Sequence, residues 1–143
     1  MMGVTRYVRA TGLGLGLAAS VAGSVGTAAE TGLAALQGAW LQQSFSCARV
    51  YSPAGKSVSF IKPVNAFAPA FIISGRRLRT PLASCRIRLV KPGADRQVLA
   101  LDCATTVAAN EVVAFMAPMP DGTLSRFADD EDRIGTPYKR CFQ

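Results

Sequence analysis

The residues with chemistry to offer are few. They are cysteines at 47, 85, 103 and 141, seven cations crowded between Arg76 and Arg96, and the carboxylates Asp129, Asp130, Glu131 and Asp132. There is no histidine, so neither Ser-His-Asp nor Cys-His catalysis nor a His-ligated zinc can be built. The cysteines lie far apart with no C-x-x-C pair, which excludes a zinc ribbon and a thioredoxin-type redox centre. A G-x-S-x-G elbow and a phosphate-binding loop are also missing. The four carboxylates lack the D-x-D-x-D-G spacing that arranges oxygens around calcium, and they fall in a predicted solvated loop. The chain reads as non-catalytic, with no metal and no cofactor implied.

The cations alternate with apolar residues: Arg77 and Arg79 flank Leu78, and Arg86 and Arg88 flank Ile87. On strands this pattern points Arg77, Arg79, Arg86 and Arg88 away from the core as one basic stripe. Such a stripe suits an anionic envelope partner, whether lipid, glycan or protein. The plainer reading, and the favoured one, is a solvated face with Arg86 paired to Asp102. Nucleic acid is a poor fit, because no stacking aromatics interleave with the arginines.

The elements that must hold these residues begin after an address. Arg6 and Arg9 precede an uncharged stretch from Ala10 to Ala29, apolar from Leu13 to Val25 and ending in small residues. This predicts a signal peptide over residues 1–29, with an uncleaved anchor as the competing reading. Residues 30–143 then form one disulfide-bonded, extracytoplasmic domain, periplasmic or secreted, without a transmembrane segment. Alternating runs separated by turn residues predict strands at Trp40–Tyr51, Lys56–Lys62, Ala68–Ser74, Arg77–Thr80 and Ser84–Lys91. Further strands are predicted at Gln97–Thr105, Glu111–Ala117, Thr123–Ala128 and Tyr138–Phe142. The fold class is all-β: a single small antiparallel barrel of eight or nine strands, or a sandwich.

One hairpin can be aligned. Facing Cys85 with Cys103, Ile87 with Leu101 and Leu89 with Leu99 keeps apolar side chains on one face, and puts Arg86 against Asp102 and Val90 against Val98. Cys85 and Cys103 are then close enough to bond. Cys47 on the first strand and Cys141 on the last would fasten the closure of a barrel. Four cysteines allow three connectivities, so other pairings stay open. The run Ala66–Ile73 is apolar on both alternating faces, and Glu111–Met119 behaves similarly, which in a sheet means burial on both sides, a lipid-facing surface or a ligand mouth. Core packing is the plain reading, and a helix, loop or partner is expected to cover the sheet. Phe67, Phe71 and Ile73 are candidates to line a ligand mouth.

Gly38-Ala39-Trp40, at the head of the first strand after a short helical stretch, resembles the G-x-W opening of lipocalins, avidins and related calycin barrels. Bacterial periplasmic inhibitors of metalloproteases have a similar opening. The resemblance implies an eight-stranded barrel whose Trp40 is structural, sits at the closed end and is covered by an arginine, with Arg126 and Arg140 as candidates. The function expected is a small envelope binding protein for an apolar or anionic ligand. The alternatives are an inhibitor of an envelope protease or lytic enzyme, or a structural envelope protein. Deleting Glu30–Leu36 is expected to separate the first two, sparing a binder and disabling an inhibitor.

Overall fold

The computed structural model describes residues 32–142; the expected signal peptide lies outside them. A helical turn over residues 32–35 leads into β1 (Gly38–Gln42). The strands that follow are β2 (Tyr51–Ala54), β3 (Ser57–Phe60), β4 (Ala70–Ser74), β5 (Arg77–Arg79) and β6 (Ser84–Pro92). They continue with β7 (Gln97–Ala104), β8 (Ala109–Pro118), β9 (Leu124–Phe127) and β10 (Thr136–Cys141). Eight of them close an antiparallel barrel in the order β1-β10-β9-β8-β7-β6-β5-β4, while β2 and β3 pair only with each other. Closure leaves the barrel without a free edge. Alternation sends Phe71, Leu78, Ile87, Leu99 and Leu101 into the barrel core and their neighbours outward.

The expected continuous strand Trp40–Tyr51 does not form. The chain leaves the barrel after Gln42, makes a helical turn over Cys47–Val50 and returns as the β2–β3 hairpin. Tyr51 is the anchor of this excursion. Its buried hydroxyl shares its proton between the carbonyls of Trp40 at 2.6 Å and Phe71 at 3.0 Å, on the two strands that close the barrel. Burial drives the phenol's pKa well above its ordinary value. Around Tyr51 a second core forms on the outside of the barrel, with Ala39, Leu41, Val50, Ala70 and Ile72. This is why Ala70–Ile73 is apolar on both faces: Phe71 and Ile73 point inward, and the hairpin covers Ala70 and Ile72. The other two-sided run has no such cover, and Val113 on β8 stands 56% exposed.

The β6–β7 ladder keeps the expected register at Cys85↔Cys103, Arg86↔Asp102 and Ile87↔Leu101. It then slips by one residue, so that Leu89 faces Ala100 and Val90 faces Leu99. The expected Leu89–Leu99 and Val90–Val98 pairs are therefore replaced. A bulge at Arg88 turns Val90 into the core, at 3% exposed, and leaves Leu89 outside at 49%.

Disulfides join Cys85 to Cys103 and Cys47 to Cys141. The first is internal to the barrel wall. The second ties the helical turn, outside the barrel, to the end of β10; Cys47 is not on a barrel strand.

Candidate functional site

The two ends of the barrel differ. At one end the helical turn is a plug: Leu33 and Leu36 are buried in the barrel core beside Trp40. The Trp40 indole N–H donates to Leu36 O at 2.8 Å. Gln37 reaches the β4–β5 turn, accepting from Gly75 N at 2.7 Å and donating to Gly75 O at 3.1 Å. Gly38 turns the chain from plug to strand with φ of 127°, a conformation that side chains resist. Arg140, directly across from Trp40 in the ladder, holds its guanidinium 4.6 Å from the ring centroid and donates to Ala35 O. Of the two arginines considered for this place, Arg140 takes it and Arg126 does not.

The other end is open. The chain between β3 and β4, the β5–β6 loop and the β7–β8 turn surround a cavity of about 450 Å³ that enters the barrel. Its walls are Phe71, Leu78, Leu101, Ala114, Met116 and the Cys85–Cys103 bridge, with Thr80, Thr105 and Asn110 among the polar lining residues. Among the described residues no carboxylate lines it, and its one charged residue is Arg126. The phase of β9 explains Arg126: Leu124, two residues earlier, is fully buried in the barrel core, so Arg126 shares the inner face. Tyr138 on β10 also lines the cavity, 5% exposed, its ring 5.2 Å from that of Phe71. Cavities of this size and composition are typical of small-molecule sites.

The expected lining residues separate. Phe71 is in the cavity wall. Ile73, two residues deeper on β4, is packed in the closed core. Phe67 lies in the chain before β4 and is 93% exposed, because only the strand, not the turn preceding it, alternates into the barrel. Arg126 and Tyr138 were not among the residues expected at a ligand mouth. The pairing of Arg126 with a strand headed by Leu124 was the available signal.

The basic residues do not form one open stripe. Arg77, Arg86, Asp102 and Glu111 stand side by side across β5, β6, β7 and β8. Arg88 binds Asp102 at 3.0 Å and Glu111 at 2.8 Å, and Arg86 reaches Asp102 at 3.4 Å. Arg79 donates to Val58 O on the hairpin and borders an outer groove of about 550 Å³ with Lys56 and Arg140. Arg76 donates to the carbonyls of Ile87 and Arg88. Arg96 is buried: it forks onto Asp95 at 2.8 and 2.9 Å and stacks 3.7 Å over Phe127.

The acidic loop is a folded turn. Asp129 accepts from the N–H groups of Glu131 and Asp132, and Asp132 accepts from those of Ala128, Ile134 and Gly135. Led by the Ala128 bond, these donors pull the Asp132 carboxyl down to about 2. Gly135, at φ of 70°, has no room for a side chain, since a Cβ would meet the Phe127 ring at 2.9 Å. Among the described residues no group of three or more acidic, cysteine or histidine side chains could hold a metal. Comparison of the chain with known protein families, with curated proteins and with solved structures finds no match.

Proposed function

We propose that the protein is a non-catalytic, extracytoplasmic binding protein that holds a small apolar or anionic envelope molecule in the open end of its barrel. The observation that carries this reading is the cavity of about 450 Å³ with apolar walls and Arg126 as its charged residue. The two disulfides, with all four cysteines paired, favour an oxidising compartment. The likeness to calycin barrels belongs to this reading. It is supported by the plugged end, by Gly38 at positive φ and by Arg140 over Trp40. Native mass spectrometry of exported protein tests it: a co-purifying small molecule is expected, and an apolar dye should raise the melting temperature. Ligand-free protein whose melting ignores dyes and lipids would reject it.

The inhibitor reading keeps one observation. The exposed apolar tips Phe67, Leu82 and Val107 sit on the three stretches of chain around the cavity mouth, Phe67 between the lining residues Ala66 and Ala68, Leu82 in the lining itself and Val107 two residues after the lining Thr105, and would suit presentation to a protein cleft. Capture of a protease or lytic enzyme by the intact protein, lost on recharging these tips, would favour it.

A further inference from the structure

We propose that Arg126 and Tyr138 form a clasp for a single carboxylate, so that the cavity selects monoanionic amphiphiles over neutral, cationic or phosphorylated ones. This rests on the reading of the cavity as a ligand site and names the class of ligand.

Thr136 faces Arg126 and Leu124 faces Tyr138, so Arg126 and Tyr138 are diagonal neighbours on one face of the β9–β10 ladder, within mutual reach for long side chains. Both line the cavity. Neither the Arg126 guanidinium nor the Tyr138 hydroxyl has a hydrogen-bond partner among the described residues. The Tyr138 hydroxyl is not sealed off either, since among the described residues the only wholly buried side-chain polar atom without a partner is Gln97 Oε1. A tyrosine that is 5% exposed overall yet keeps an open, unused hydroxyl presents it to the cavity.

The arrangement has a direction. Across the barrel from β9 and β10 stand Leu78, Cys85 and Leu101 on β5, β6 and β7. A bound molecule would rest its apolar body on that wall and turn its head to β9 and β10. On β9 and β10 the head meets one permanent cation and one hydroxyl donor, and among the described residues no carboxylate lines the cavity to oppose it. Two donors from one side match the two oxygens of a carboxylate, and one cation balances its charge. A phosphate dianion would find one cation for its two charges.

The test compares decanoate, decanol, decyltrimethylammonium and decyl phosphate, which share one alkyl chain and differ in head group. Each is titrated calorimetrically below its micellar concentration into the intact mature protein. Decanoate should bind about tenfold more tightly than decanol, as expected of a partly solvated charge-assisted pair. Arg126→Gln should erase that difference by weakening decanoate about tenfold, with the melting temperature unchanged. Tyr138→Phe should remove part of it. Equal binding of all the probes would overturn the clasp while leaving the cavity reading intact. Tighter binding of decyl phosphate would overturn the carboxylate assignment. Binding of none would overturn the cavity reading and the clasp together.

Discussion

Arg140 lies directly opposite Trp40 in the β1–β10 ladder, and its guanidinium covers the indole ring from the solvent side at 4.6 Å. Trp40 is 1% exposed and spends its N–H on Leu36 O, so the ring couples plug, first strand and last strand. Trp40→Ala should cost about 3 to 5 kcal/mol, the range for an emptied aromatic site. Arg140→Ala, which removes an exposed cation from the ring face together with its long hydrogen bond to Ala35 O, should cost about 0.5 to 1 kcal/mol. Chemical denaturation followed by tryptophan emission separates them, and the Arg140→Ala emission should shift because the ring gains water.

The two disulfides close loops of different length. Cys47–Cys141 spans 94 residues and Cys85–Cys103 spans 18. Chain entropy gives about 4.6 kcal/mol for the first and about 3 kcal/mol for the second. The Cys47→Ala/Cys141→Ala variant should therefore melt lower than Cys85→Ala/Cys103→Ala. Its amide exchange should rise first at Tyr51–Phe60, where the hairpin loses its tether. Denatured wild-type protein should titrate no free thiol.

How much of this was legible in the chain depends on whether local pattern or distant contact decided each feature. Cys85, Ile87, Leu101 and Cys103 alternate cleanly, and a one-residue slip would have exposed every one of them, so their register could be read. The bulge at Arg88 could not, because Leu89 and Val90 are both apolar and either could be the inward residue. The end of β1 at Gln42 was hidden for another reason. Trp40–Tyr51 has no proline or glycine, and what breaks it is the Tyr51 hydroxyl bonding two carbonyls brought together only by barrel closure. At the cavity, Phe71 was legible from two-sided apolarity. Arg126 and Tyr138 were not, because a cation or a phenol on the inner face is unexpected until the barrel is known to be open at that end.

Asp132 gives the acid side of the stability curve a named contributor. Its folded pKa is about 2, depressed below the ordinary carboxylate value by three backbone donors. A depressed folded pKa contributes stability that is complete above the unfolded value and lost as pH falls through the folded one. The melting temperature should therefore decline between about pH 4 and pH 2. Asp132→Asn should lower it at neutral pH and flatten that decline. A decline of unchanged steepness in the variant would assign the acid sensitivity to other carboxylates.

The plug changes how binder and inhibitor can be told apart. A deletion of Glu30–Leu36 was expected to spare the barrel, but Leu33 and Leu36 are 7% and 0% exposed and Leu36 O accepts the Trp40 N–H. Burying each leucine contributes about 2 kcal/mol, and the deletion also strands a buried donor. The truncated protein should melt far lower than the full domain and lose any activity, whichever function it has, so it discriminates nothing. Substitutions at the open end do discriminate. Val112 lies on the cavity wall and is 42% exposed, so Val112→Trp can fill the mouth without overpacking the core. Phe67 and Val107 are 93% and 91% exposed, so Phe67→Asp and Val107→Asp alter the surface alone. A binder loses its small-molecule ligand in Val112→Trp and keeps it in the loop variants. If Phe67→Asp and Val107→Asp instead abolish enzyme inhibition while Val112→Trp retains it, the cavity is incidental and the loops are the working surface.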